Sequence, residues 1–268
     1  MIPHSLASFC RISVSLLPGL LIILFSACNQ PGNTGGDPGD ANTKKSRTKG
    51  KEGYSGVYKS YRDGYLYSEV TLKNGQKNGL AKRYYPSGKI NTEIMYEDDI
   101  KVGTSKWYYT TGQVYRETPY ENGKIHGIQK KYHKDGGLMA EIPYENGLRK
   151  IGLREIGSGR SPVTTYPSIE VTVSDRRSDY GRVDVTMRLS NNASKVKFYE
   201  GELSDSIFDP ERLYYVHTED GEGKIQLVEK ADYSGPGRLH IVAFYQTRLG
   251  NGKIIQTSVA LPSKKLKY

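Results

Sequence analysis

The chain has 268 residues, of which 39 are basic and 29 acidic, so its formal net charge is +10. Its only cysteines are Cys10 and Cys28, which excludes an internal disulfide framework or a cysteine-ligated metal centre once the first 27 residues are removed. The positive charge favours contact with anionic lipid, an acidic glycan or an acidic partner.

Residues 1–27 are typical of an export signal. Arg11 gives a weakly basic start, and residues 12–25 form an apolar run of 14 residues, which is shorter than the roughly 20 that span a bilayer. The run ends in Phe-Ser-Ala-Cys, up to Cys28, and resembles the lipoprotein box of bacteria, in which the cysteine is acylated and becomes the first mature residue. We therefore predict a lipoprotein signal peptide over residues 1–27 and a palmitate-type anchor on Cys28. An ordinary cleaved signal, with Cys28 incidental, is the alternative.

Residues 28–52 contain Gly, Pro, Asn and Lys with almost no apolar side chains. Such a segment cannot bury enough surface to offset its chain entropy, so it predicts a flexible tether. Its basic second half could contact anionic headgroups, but a solvated linker is the simpler interpretation. The predicted location is the bacterial cell envelope, lipid-anchored at the outer membrane or the cell surface.

A pattern repeated four times occupies residues 56–151, and a period this regular identifies a repeat architecture. Each copy opens with a glycine, 23 or 24 residues after the last: Gly56, Gly79, Gly103 and Gly127. A lysine follows three positions later: Lys59, Lys82, Lys106 and Lys130. A tyrosine comes two positions after the lysine: Tyr61, Tyr84, Tyr108 and Tyr132. A glutamate lies in the second half of each copy: Glu69, Glu93, Glu117 and Glu141.

Turn signals separate the copies into segments of six to eight residues, which are too short for helices and suit strands. Each copy is therefore predicted to be a β-hairpin. A two-residue turn at Ser87-Gly88 places Lys82 opposite Glu93, and the third and fourth copies repeat this pairing. The first copy is one residue shorter before its turn, which requires a longer loop or a bulge. We expect that hairpin to be the least regular, and alternation predicts one charged and one apolar face.

These residues carry a resemblance to a known family. The pattern G-x-x-K-x-Y-Y, followed by an aliphatic residue, E-x-x-Y and N-G-K-x-x-G, resembles the MORN repeat variant found in bacterial proteins that are often labelled YwqK-type antitoxins. The resemblance implies an elongated, meandering antiparallel sheet over residues 53–154. It also implies contacts with lipids or proteins, while the antitoxin label has no direct support in the residues.

Beyond residues 156–162, which are rich in Gly, Ser and Pro, the period disappears. Seven strand-like runs follow, at residues 168–174, 182–190, 195–203, 212–218, 224–229, 238–248 and 253–261. Seven short strands in about a hundred residues predict an immunoglobulin- or fibronectin-III-like β-sandwich over residues 163–268. The Cys and Trp hallmarks of antibody domains are absent, because the only tryptophan is Trp107. The predicted fold class is all-β.

No constellation of residues indicates catalysis or metal binding. The histidines that follow the leader are scattered without ligand spacing: His126, His133, His217 and His240. His133 stands where two other copies place a tyrosine, and Ser158 lacks the strand and helix that a nucleophile elbow requires. Because the Lys–Glu pairs recur in every copy, they are interpreted as structural. We predict no catalytic residue, no metal and no cofactor.

Two hypotheses about function follow from the repeats. The favoured one is a non-catalytic envelope lipoprotein whose repeat sheet contacts a protein or an envelope polymer, with lipid or glycan binding as a variant. The alternative is an immunity-type or antitoxin-like inhibitor. An enzyme acting on glycan or peptide would need a nucleophile or paired carboxylates in the C-terminal half. Nucleic acid is not an expected partner of an exported protein, and open strand edges predict a tendency to self-associate.

Overall fold

A computed structural model describes residues 53–228 and 237–262 of the chain. The predicted signal peptide, Cys28 and the tether lie outside the described residues. The described residues belong to one compact unit and are almost entirely strands and turns, which confirms the all-β prediction. In these two ranges no helix is long and apolar enough to cross a membrane.

The repeats form one antiparallel meander, in which each long strand pairs with the next long strand along the chain. Its strands are β1 (Gly56–Arg62), β2 (Tyr65–Lys73), β3 (Gln76–Tyr84), β4 (Ile90–Glu97), β5 (Ile100–Tyr108), β6 (Val114–Glu121), β7 (Lys124–Ile125), β8 (Gly127–Tyr132), β9 (Leu138–Glu145), β10 (Leu148–Lys150) and β11 (Arg154–Glu155). The predicted hairpins are therefore confirmed, and we call this surface the repeat sheet.

The turns inside the hairpins differ from the prediction. Around Ser87-Gly88, the amide of Gly88 donates to the carbonyl of Tyr85, and the amide of Tyr85 donates to the carbonyl of Lys89, which closes a three-residue loop. The predicted two-residue turn is wrong because only Gly88 takes a positive φ there. A bulge in β4 absorbs the extra residue, so Lys82 still lies opposite Glu93 as predicted.

The first hairpin is not the least regular one. Asp63 and Gly64 both take positive φ (47° and 81°) and form a tight two-residue turn. The bulge that its shorter length requires lies opposite Ser60 and Tyr61, and the other three hairpins carry a bulge at the equivalent place. The missing residue therefore shortens the loop and leaves the strand pairing unchanged.

The C-terminal half forms a sandwich of two four-stranded antiparallel sheets. Its elements are β12 (Ile169–Arg176), α1 (Arg177–Tyr180), β13 (Arg182–Leu189), β14 (Val196–Glu200), a 3₁₀ turn (Ser204–Ser206), β15 (Ile207–Phe208), a second 3₁₀ turn (Pro210–Arg212), β16 (Tyr214–Val216), β17 (Thr218–Glu219), β18 (Glu222–Val228), β19 (Arg238–Gln246) and β20 (Gly252–Ala260). One sheet has the order β12-β13-β18-β17 and the other β16-β14-β19-β20. Lettered along the chain, these are A-B-E-D and C′-C-F-G, the arrangement of immunoglobulin-like sandwiches.

Apolar side chains from both sheets interdigitate in the sandwich core. Val185 and Met187 of one sheet meet Phe198, Ile241 and Ala243 of the other, and all of them are at most 1% exposed. Alternation along β13 and β19 places every second side chain in this core, which is why the sequence pattern located these strands. The pattern missed β15, a two-residue strand that pairs with β10 and so joins the repeat sheet.

The turn between β17 and β18 leaves no room for a side chain. Gly221 has φ +81°, and a Cβ atom there would lie 2.6 Å from the carbonyl oxygen of Ala193 and 2.9 Å from the Cα of Ser194. Gly221→Ala should therefore lower the free energy of unfolding by about 2 kcal/mol or more, through backbone strain and steric overlap. Urea titration checks this, with Gly159→Ala as the control, because a Cβ at Gly159 meets nothing within 4 Å. Equal stability of the two variants would contradict it.

Candidate functional site

One row of alternating charges crosses the repeat sheet from strand to strand. Every strand except the short β7 and β10 contributes one residue, and every neighbour in the row is a directly opposed pair: Lys59, Glu69, Lys82, Glu93, Lys106, Glu117, Lys130, Glu141 and Arg154. We call this row the charged ladder. The predicted pairs within hairpins are confirmed, and the pairs between hairpins, such as Glu93 with Lys106, extend them.

Tyrosines bind the same glutamates from the following repeat. The hydroxyl of Tyr84 donates to Glu69 Oε2 at 2.7 Å, and that of Tyr132 donates to Glu117 Oε2 at 2.7 Å. Tyr108 makes the equivalent bond to Glu93. Burial and these bonds raise the pKa of Tyr84 and of Tyr132 to about 12, and they raise the pKa of Tyr108 in the same direction. The contacts therefore connect successive repeats, as well as strands within one repeat.

The position after each of these tyrosines makes a second inter-repeat contact. Tyr85 donates to the carbonyl oxygen of Tyr108 at 2.6 Å, and Tyr109 donates to that of Tyr132 at 2.8 Å. In the last copy His133 Nε2 lies 3.1 Å from the carbonyl oxygen of Ile156. His133 thus replaces a tyrosine in a repeated structural contact, as the alignment of the copies predicted.

A row of apolar side chains runs beside the charged ladder on the same face, two residues from it on β1, β3, β4, β6, β8 and β9, while Thr71 and Thr104 hold this position on β2 and β5. It comprises Val57, Leu80, Met95, Pro119, Ile128 and Pro143, and we call it the apolar row. Val57, Met95 and Ile128 are 52%, 41% and 47% exposed. Exposed apolar side chains in a regular row, next to paired charges, are typical of a contact surface.

The other face of the repeat sheet is largely buried over β5 to β9 but is not purely apolar there, which corrects the prediction. Besides Trp107 it carries Arg116, Ser105, Thr118 and Gln129, none more than 7% exposed. The Arg116 guanidinium lies 4.1 Å from the Trp107 ring centroid. The guanidinium therefore packs on the ring and remains inside the structure.

A buried polar cluster joins the repeat sheet to the sandwich, and its centre is Glu155, which is 1% exposed. Glu155 Oε1 accepts hydrogen bonds from Thr247 Oγ1 and Asn251 Nδ2, both at 2.6 Å, and Oε2 accepts one from the Tyr166 hydroxyl at 3.2 Å. Lys131 Nζ donates to Asn251 Oδ1 at 2.8 Å. We call this group the junction cluster. Bonds between residues about a hundred positions apart hold the two halves together.

Burial lowers the pKa of Lys131 to about 8, with the charges of Arg149 and Arg116 acting in the same direction and that of Glu155 against it. Arg149 itself donates to the carbonyl oxygen of Gly252 at 2.9 Å. The junction cluster therefore gathers several cations around one carboxylate. The charged form of Lys131 is destabilised by burial and by these neighbouring cations.

Stability should consequently rise when the solution becomes alkaline. Because the folded pKa of Lys131 lies below its ordinary value of 10.5, the unfolded chain binds more protons between about pH 8 and 10.5, and the free energy of unfolding increases with pH. We expect a gain on the order of 2 kcal/mol between pH 7.5 and 9.5. Urea titrations at these pH values measure it, and Lys131→Met should lack it. A gain of equal size in that variant would contradict the assignment to Lys131.

The other residues considered from the sequence lie apart from one another. His126 is near Glu121, with Nε2 3.7 Å from a carboxylate oxygen, while His217 is exposed and His240 lies in β19. Ser158 is exposed in a turn in which the amide of Arg160 donates to the carbonyl oxygen of Gly157. In the same described ranges no cluster of three or more His, Cys, Asp or Glu side chains could hold a metal ion. Cys28 falls outside them.

A cleft of about 200 Å³ lies between the last repeat turn and the segment before β16. Its lining includes Glu145, Glu202, Asp205, Asp209 and Arg212. Lys150 pairs with Glu145 and Arg212 pairs with Asp209, so two of these carboxylates take part in ion pairs.

Arg116 is a site residue that sequence reasoning missed, although aligning the copies could have found it. The equivalent positions, each directly before the repeat glutamate, hold Ser68, Thr92 and Ala140. Arg116 is therefore the one long, charged side chain at a position that the other copies fill with small residues. Glu155 and Asn251 lie outside any period, and no comparable signal identifies them.

Comparison with known proteins supports the repeat assignment. Residues 77–98, 101–122 and 125–146 each match the family model described as the MORN repeat variant. Every matched segment holds one hairpin, β3 with β4, β5 with β6, and β7 and β8 with β9. The hairpin at residues 56–73 lies outside the matches, although it carries the same ladder contacts. No curated protein matches the chain significantly. The matches indicate a repeat scaffold for interaction with proteins or membranes.

Proposed function

We propose that this protein is a non-catalytic lipoprotein of the bacterial cell envelope, and that its repeat sheet is a scaffold for a protein or envelope-polymer partner. The observation that carries the proposal is the regular ladder face of the repeat sheet. There the charges are arranged in pairs across the strands, while apolar side chains beside them remain exposed. A catalytic group is needed once, whereas these contacts recur in each hairpin.

The lipid anchor is tested by labelling with a radioactive fatty acid in a bacterial host. The wild-type chain should incorporate label and stay with the membrane fraction, whereas Cys28→Ser should lose both properties. Cys10→Ser is the matched control, because the proposal assigns that residue to the discarded signal. Label on the Cys28→Ser chain, or none on the wild-type chain, would contradict the anchor.

The scaffold role is tested by site-specific photo-crosslinking in the same cells. A photoreactive residue at Met95 or Ile128, in the apolar row, should give a discrete adduct with a protein or a polymer. The control position is Tyr214 in β16 of the sandwich, which is 78% exposed and is not part of the apolar row. If the apolar row gives no adduct beyond those of Tyr214, the repeat sheet is not a contact surface.

A further inference from the structure

The first strand of the repeat sheet has an open edge. Among the described residues, β1 pairs only with β2, so the backbone groups on its outer side face no neighbouring strand. Its seven residues are Gly56–Arg62. An edge of this length is a template for another extended segment.

At this edge the charged ladder ends on a lysine that has a glutamate on only one side. Inside the sheet each ladder lysine lies between two glutamates, as Lys82 does between Glu69 and Glu93. Lys59 has only Glu69 opposite it, with Nζ 3.0 Å from Oε1. Its side chain is 51% exposed, compared with 31% for Lys82. One side of Lys59 is therefore available to a further carboxylate.

Tyr61 lies at the same edge and is equivalent to Tyr84. Both follow a ladder lysine by two residues and face a bulge in the next strand. Tyr84 uses its hydroxyl to bind Glu69 of the preceding repeat, but Tyr61 has no preceding repeat. The Tyr61 hydroxyl makes no hydrogen bond among the described residues, and the side chain is 67% exposed. Lys59 and Tyr61 thus hold the positions at which, inside the sheet, Lys82 lies opposite Glu69 and Tyr84 donates a hydrogen bond to it.

We propose that β1 docks an extended segment of another protein, which pairs with its open edge and places a glutamate or aspartate beside Lys59 and Tyr61. The proposal rests on the scaffold function above and names the chemistry of its partner. Val57 adds a second requirement, because it lies two residues from Lys59 on the same face and is 52% exposed. The docked segment should carry an apolar side chain two positions from its carboxylate, as Met95 follows Glu93.

A second copy of this chain fits the edge less well. Strand β1 contains no acidic residue, and a symmetric antiparallel pair that uses the full strand would place Lys59, its central residue, opposite Lys59. Head-to-tail stacking of two repeat sheets also fails, because Arg154 already bonds to Glu141 at the last full hairpin, with 2.8 Å between Nε and Oε2. Charge complementarity therefore favours an acidic segment of a different protein.

A synthetic peptide that copies residues 90–97 is a suitable probe, because this strand already pairs, with Glu93 opposite Lys106, with the edge of β5 that is equivalent to the open edge of β1. The labelled peptide is titrated with the full chain in mild detergent, and binding is followed by fluorescence anisotropy. A peptide with Glu93→Lys should bind at least tenfold more weakly. The variant Lys59→Glu should reverse this preference, while Lys197→Glu, an equal charge change at an exposed position of the sandwich, should keep it. Hydrogen exchange should slow at residues 56–62 when the peptide binds.

Several results would overturn the proposal. One is equal binding of the two peptides, and another is no binding at all. A chain that dimerises in sedimentation with slowed exchange in β1 would show that a second copy occupies the edge. Binding that appears only after deletion of residues 29–52 would show that the chain covers its own edge. If the peptide fails while cross-links from Ile128 persist, the docking edge is wrong and the scaffold function stands.

Discussion

Replacing Glu155 with alanine should lower the free energy of unfolding by about 3 to 5 kcal/mol, because it breaks a buried network around a charged group. The carboxylate is 1% exposed and accepts hydrogen bonds from Thr247, Asn251 and Tyr166. Without it, all three donors lose this partner, and the nearby Lys131 loses the charge that opposes the effect of its burial.

Urea titration at pH 7.5 measures this loss with two signals. Fluorescence of Trp107, the only tryptophan, reports on the repeat sheet, and far-ultraviolet circular dichroism reports on all strands. Both midpoints should fall in Glu155→Ala. The matched control is Glu141→Ala on the ladder face, where a partly exposed ion pair with Arg154 contributes about 1 kcal/mol or less. If Glu155→Ala costs no more than this control, the junction cluster does not hold the two halves together.

The repeat sheet could be predicted in detail because its contacts are local. Within a hairpin the sum of two residue numbers fixes which side chains face each other, so Lys82 and Glu93 could be paired from spacing alone. The predicted pairing is correct although the predicted turn is wrong, because the bulge in β4 compensates for the additional residue in the loop. Pairs between hairpins needed the geometry of the connecting turns. At Asp98-Asp99, for example, both residues take positive φ in place of the usual Asn-Gly.

The junction cluster could not be predicted, because its partners are far apart in the sequence. Asn251 and Glu155 are separated by 96 positions, and neither belongs to a repeat or a strand pattern that would bring them together. The sandwich was recognisable from strand count and alternation, since burial on one side imposes a period of two. Which loop residues of the sandwich reach the repeat sheet depends on how the two halves pack, and composition carries no such information.

Alkaline solution should destabilise the protein steeply between pH 10 and 12 through three tyrosines of the repeat sheet. The folded pKa of Tyr84, Tyr108 and Tyr132 lies above the ordinary value of 10, chiefly because of burial and then because of the bonds to Glu69, Glu93 and Glu117. Their contribution to stability is complete below pH 10 and is lost as the pH rises through the folded pKa, because the unfolded chain releases these protons first. Together they should lower the free energy of unfolding by about 4 kcal/mol per pH unit in this window.

Replacing these three tyrosines with phenylalanine separates this effect from general alkaline unfolding. Phenylalanine cannot ionise, so the triple variant should lose about 4 kcal/mol per pH unit of slope between pH 10 and 12, although it starts from a lower stability at pH 8. Each single variant should lose about a third of that. Tyr214→Phe is the control, since Tyr214 is 78% exposed and lies outside the repeats. Urea titrations at half-unit pH steps give the slopes, and a triple variant with the wild-type slope would show that folding does not raise the pKa of these tyrosines. A reduced slope would identify the raised pKa of these three tyrosines as the source of the alkaline destabilisation.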